Sequence, residues 1–130
     1  MLDFHKLIAE YQNCPCGQAH ECAIDDIVIE SGAVHRVGEV LARDHFPRRL
    51  LVVADKTTLA AADGILEGLT GFDVTLKIYD TLRVATMDDV RAVEGYFDRC
   101  DAVLAVGTGS IHDPCRFACA RQDKKLALFA

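Results

Sequence analysis

Two short runs of uninterrupted apolar residues set the terms on which this chain can fold. Leu50-Leu51-Val52-Val53-Ala54 and Ala102-Val103-Leu104-Ala105-Val106 contain no polar side chain. Segments of that length are ordinary strands and poor isolated helices. A strand that is apolar at every position, rather than at every second one, has both faces buried. That is the situation of a central strand in a parallel sheet covered by helices.

The intervening segments agree with such a sheet. Leu59, Ala62, Ile65, Leu66 and Leu69 recur at helical spacing and predict a helix over 57–69, stopped near Gly71. DVTLKIYD alternates Val74, Leu76 and Ile78 with Thr75, Lys77 and Tyr79, the pattern of a strand with unequal faces near a sheet edge. Thr86 and Asp89 have the spacing of a capping box, ahead of a helix with Met87, Val90, Val93 and Phe97 on one face. KLALFA reads as a final strand. Upstream, Phe4, Leu7, Ile8 and Tyr11 predict a short helix over 3–11, and AIDDIVIES (23–31) predicts a strand. Gly32 then opens a helix with Val34, Val37, Val40 and Leu41 inward, ended by Pro47. Strand and helix thus alternate, which predicts an α/β, Rossmann-like fold with a mostly parallel sheet flanked by helices. The expected organisation is an N-terminal helix and cysteine-rich loop over 1–22, followed by the sheet domain over 23–130.

A chain of 130 residues, 51% of them hydrophobic, can build one domain with a real core. Its net charge of -6 argues against non-specific nucleic-acid binding, which needs a basic face. No apolar run is long enough to span a bilayer, and MLDFHKLIAEYQ lacks the apolar centre of a signal peptide. The expectation is a cytoplasmic protein with neither a nucleic-acid nor a membrane partner.

The second apolar run leads into Gly107-Thr108-Gly109-Ser110 and an amphipathic stretch. Glycines let backbone approach a ligand, and the amides opening a helix favour an anion. The Ser110 hydroxyl can cap the helix or touch a phosphate oxygen. No Lys-Ser/Thr pair follows, which disfavours nucleoside-triphosphate hydrolysis. A tight turn with a serine cap explains the same residues as well as a phosphate cradle does. Asp55, at the carboxyl end of the first apolar run, can accept both hydroxyls of an adenosine ribose, or cap the helix that follows. A carboxylate there repels the 2′-phosphate of NADP and so leans toward NAD. Asp113 is expected in the first helical turn, where an acid complements the helix dipole, and His112 on the surface.

Six cysteines and no sign of a secreted miniprotein favour reduced thiols or a metal site. Cys14, Cys16, His20 and Cys22 have ligand types suited to a structural zinc ion, though the spacing is not that of paired C-x2-C knuckles. The alternative is a reduced loop whose cysteines pack or stay free. Cys115 and Cys119, one helical turn apart, read as core packing.

IVIESGAVHRVGEVL, LLVVADKTTLAAADGIL and AVLAVGTGSIHDPCRFACARQDKKLALFA together resemble the N-terminal half of the glycerol dehydrogenase, iron-containing alcohol dehydrogenase and dehydroquinate synthase superfamily. Within it they are most similar to bacterial sn-glycerol-1-phosphate dehydrogenases, whose turn pattern G-x-G-[ST]-I-x-D is matched from Gly107 to Asp113. The resemblance implies a nicotinamide-dependent oxidoreductase of small polyols or polyol phosphates. It implies that NAD or NADP is held by Asp55, Gly107, Thr108, Gly109, Ser110 and Asp113. It also implies a divalent zinc, nickel or iron ion acting as a Lewis acid. That ion belongs to a helical C-terminal domain whose aspartate and two histidines match none of His5, His20, His35, His45 or His112. No catalytic residue is therefore expected in these 130 residues, which are not expected to turn over substrate alone. A homo-oligomer is expected, because the strand ends around Asp55, Gly107 and Phe129 should expose apolar surface. The alternatives are a non-catalytic dinucleotide-binding or interaction module, and a dehydroquinate synthase-like protein.

Overall fold

The computed structural model describes residues 3–130. The chain divides into two compact units, Met1–Ser31 and Gly32–Ala130. In the first, helix α1 (Phe4–Tyr11) is opened by Asp3, whose carboxylate accepts the Lys6 amide at 3.0 Å. Residues 23–30 have no regular structure, so the strand expected over 23–31 is not formed. Asp25 and Asp26 interrupt its apolar alternation, and no neighbouring strand pairs with it among the described residues. A strand without a partner does not persist in water. Ile24 and Ile29 accordingly stand 52% and 75% exposed.

The second unit is built on a four-stranded, wholly parallel sheet. Its strands are β1 (Arg49–Asp55), β2 (Asp73–Tyr79), β3 (Ala102–Val106) and β4 (Lys125–Phe129), in the spatial order β2-β1-β3-β4. The two apolar runs are the two central strands, and the alternating DVTLKIY lies at an edge, as its pattern predicts. Every residue of β3 and all of β1 after Arg49 is buried.

The period of two along the central strands sorts these side chains into two cores. Leu51, Val53, Val103 and Ala105 face Val90, Val93 and Phe97 of the α4 region, together with Ile111, Cys115 and Ala118 of α5. Helix α4 spans Met87–Glu94 and helix α5 spans Gly109–Gln122. Leu50, Val52, Ala54, Leu104 and Val106 face Val37 and Leu41 of α2 (Val37–Arg43), with Ala62, Ile65 and Leu69 beyond α3 (Lys56–Ala61). Each Val, Leu, Ile or Phe among them, fully buried, contributes about 1.5–3 kcal/mol.

Three helical expectations change. The helix expected over 57–69 stops at Ala61. Gly64 adopts a left-handed φ of +90°, which an α-helix does not accommodate. Asp63-Gly64 is a turn signal set inside a helical apolar pattern, and the pattern survives as turns that still bury Ala62, Ile65 and Leu69. The helix expected from Gly32 is a single 3-10 turn, Ala33–His35, followed by α2. In α4 the capping box forms, Asp89 accepting the Thr86 amide at 2.8 Å and hydroxyl at 2.9 Å, but Met87 is 41% exposed rather than inward.

Candidate functional site

From β1 the chain crosses to β2 on one side, and β3 then takes the other side of β1. The order therefore reverses between β1 and β3. Ligands of open parallel sheets bind at such a switch point, beyond the carboxyl ends of the strands. Asp55 ends β1 there, and Gly107 directly follows β3.

Asp55 is 8% exposed and caps α3. Its Oδ1 accepts the Thr58 amide at 2.8 Å, and the Asp55 amide donates to Thr58 Oγ1 at 3.1 Å. The cap uses one carboxylate oxygen, so the structural role of Asp55 leaves room for a second one. The Thr58 hydroxyl also donates to the Val106 carbonyl at 2.9 Å, which ties the two strand ends together across the switch point. Thr58 is a positioning residue that the sequence signalled only as the third residue after Asp55.

The turn after β3 is fixed from several sides. Gly107 has a φ of +154°, and its amide donates to the Phe129 carbonyl of β4 at 2.9 Å. A Cβ at this position would stand 3.0 Å from Ile111 Cγ1 and 3.1 Å from Thr58 Cγ2. Thr108 is the N-cap of α5, and its carbonyl accepts the Ile111 and His112 amides. The Gly109 and Ser110 amides open the helix and take no acceptor among the described residues. They are the orphan donors that a helix start offers to an anion.

Of the two roles open to the Ser110 hydroxyl, the helix cap is not formed. Ser110 lies inside the helix, and its hydroxyl donates to the Arg83 carbonyl at 2.7 Å, pinning the loop after β2 against the glycine turn. Asp113 sits in the second turn of α5, not the first. Its side chain is 69% exposed and lies 3.9 Å from Arg116. His112 is half-buried, with Nε2 3.2 Å from the Phe129 carbonyl. Asp55 and the Gly107–Ser110 turn are thus brought to one edge, with Asp113 displaced a turn along the helix.

Two recesses, of about 160 and 180 Å3, lie away from these residues, one against α1 and residues 24–27, the other along residues 59–67. Both are smaller than the roughly 300–1,000 Å3 of small-molecule pockets. Among the described residues, the His, Cys, Asp and Glu side chains close enough to share an ion are Cys14, Cys16 and His20. Cys22 stands outside this cluster, and the group lies in the first unit.

A parallel α/β sheet with a glycine turn and a carboxylate at its switch point defines a Rossmann-like architecture. The chain belongs to the iron-containing alcohol dehydrogenase family, whose family model matches residues 28–130. Its fold is that of several solved oxidoreductases. The maleylacetate reductase of Agrobacterium tumefaciens superposes with a TM-score of 0.65 at 20% identity, over 85% of this chain and 31% of that one. A probable glycerol dehydrogenase of Sinorhizobium meliloti 1021 gives 0.59 at 16%, over 75% and 26%. The NADH-dependent butanol dehydrogenase A of Thermotoga maritima gives 0.58 at 19%, over 73% and 27%. The chain therefore spans about a third or less of the length of these proteins. No curated protein matches the sequence.

Proposed function

We propose that this chain supplies the dinucleotide-binding part of an NAD(P)-dependent polyol or polyol-phosphate dehydrogenase of the sn-glycerol-1-phosphate or glycerol dehydrogenase type. The nicotinamide ring, when bound, supplies hydride transfer. The residues of this chain bind and orient the cofactor. The Gly109 and Ser110 amides receive the pyrophosphate, and Asp55 receives the adenosine ribose, its charge favouring NAD over NADP. Thr58 and Ser110 hold the two halves of the site in register.

One observation carries this reading: the glycine at position 109 answers to no demand of the fold. Its φ is not left-handed, and a Cβ placed on it would meet nothing closer than Asp113 Oδ2 at 3.9 Å. An exposed helix start with orphan amides and no side chain above them is what an approaching phosphate needs.

Calorimetric titration of NADH into the full chain tests it. Gly109→Ala and Asp55→Asn are the two comparisons, since asparagine caps a helix about as well as aspartate and removes only the charge. Binding that each variant weakens about tenfold, near 1.4 kcal/mol, supports the site. A folded chain that binds neither NADH nor NADPH, or binds equally in both variants, overturns it.

A further inference from the structure

The first unit raises a question of cohesion that the dinucleotide site does not touch. Among its described residues, 3–31, none is fully buried, and all three of its cysteines are free of disulfide bonds. Structures of fewer than about 40 residues rarely hold together on such terms without a disulfide, a metal or a partner. Yet the segment folds back on itself. Gly17, with a φ of +83°, donates its amide to the Cys14 carbonyl at 3.1 Å, closing a turn. The His20 amide donates to the Tyr11 carbonyl at the end of α1 at 3.3 Å, and the His20 ring stands edge-on to Tyr11, with centroids 6.1 Å apart. This turn gathers Cys14, Cys16 and His20 so that their ligand atoms all lie within 4.8 Å of one another.

We propose that Cys14, Cys16 and His20 bind a zinc ion that organises the described part of the first unit, residues 3–31. A tetrahedral ion with Zn–S of about 2.3 Å and Zn–N of about 2.0 Å separates its ligand atoms by roughly 3.5–3.8 Å. The observed group lies close to that range. Cys16 Sγ and His20 Nε2, now 3.1 Å apart in a thiol–imidazole contact, need only open by about half an ångström, and with all three ligand atoms within 4.8 Å the third has at most about one ångström to move. Two thiolates and an imidazole are borderline-soft donors, suited to zinc and unsuited to calcium or magnesium. Binding displaces one proton from each thiol and uses the lone pair of the neutral imidazole, so the loaded site carries no net charge. Cys22 lies outside the group, which assigns the fourth position to solvent. The ion closes a loop from the end of α1 to residue 20 and does for this unit what buried apolar area does for the other.

The test is cobalt(II) titration of the reduced, chelator-stripped full chain, followed by zinc displacement. One equivalent of cobalt should bind, with a near-ultraviolet thiolate charge-transfer band that Cys14→Ser and Cys16→Ser each halve. Both variants and His20→Ala should lower the affinity about tenfold or more, and Cys22→Ser should leave band and affinity unchanged. Alkylation mapped by mass spectrometry checks the wild-type chain directly: zinc should shield Cys14 and Cys16 and leave Cys22 reactive. The proposal is overturned by a folded chain that shows no charge-transfer band, by Cys22→Ser costing as much as Cys14→Ser, or by zinc failing to shield either thiol.

Discussion

Gly107 and Gly109 stand two residues apart and serve different needs. At Gly107 the fold itself requires the missing side chain, since a Cβ would press on Ile111 and Thr58 at 3.0–3.1 Å. Gly107→Ala should therefore lower stability in urea denaturation by about 1–3 kcal/mol, the usual cost of overpacking. At Gly109 alanine meets only an ordinary contact with Asp113 and is the better helix former. Gly109→Ala should leave stability unchanged or slightly raised while weakening NADH binding. Thiol chemistry separates the cysteines in the same residue-by-residue way. Burial pushes the Cys115 and Cys119 thiols up to about 12, and Cys100 is 1% exposed. Iodoacetamide at about pH 8 should label Cys14, Cys16 and Cys22 of the metal-free native protein, and the other three only after unfolding, because the thiolate is the reacting form.

Among elements, the junction of β1, α3 and β3 depends on one hydroxyl. Thr58 Oγ1 accepts from the Asp55 amide and donates to the Val106 carbonyl. Thr58→Val preserves the shape and removes both bonds. It should cost about 1–3 kcal/mol by denaturant titration, because it leaves part-buried polar groups unpaired. At the opposite end of the same two strands, Arg49 at the start of β1 grips Asp101, just before β3, with two bonds of 2.7 and 2.8 Å. The Arg49 guanidinium holds the Asp101 carboxyl below its ordinary value. A carboxyl lowered in the folded state adds stability above its unfolded pKa of about 3.9 and loses it as the pH falls through the lower folded value. Asp101→Asn should flatten the loss of stability with acid below about pH 4, measured by denaturant titration across pH.

Across the whole molecule, cohesion is distributed unevenly. The central strands are sealed on both faces, whereas the described residues of the first unit have no buried side chain. Hydrogen exchange should find the slowest amides in β1 and β3 and the fastest in the first unit, with zinc slowing the latter, most strongly around residues 14–20. Uniform protection across both units would contradict this division.

Local apolar spacing was enough to foretell the parallel sheet, its two central strands and the edge strand β2, because burial on both faces or on one writes directly into that spacing. It also marked Asp55 and the Gly107–Ser110 turn, since a carboxylate and paired glycines directly after apolar runs are visible without coordinates. The rest was settled by packing between distant parts of the chain. It stopped the 57–69 helix at Ala61, where a left-handed Gly64 overrode helical periodicity. It left 23–30 irregular, because a strand exists only beside a partner that local pattern does not reveal. It set the Ser110 hydroxyl against the Arg83 carbonyl, and gave Thr58 its bond to Val106 across 48 residues of chain. Those contacts join residues distant in sequence, and spacing along a chain carries no record of which distant carbonyl a hydroxyl will meet.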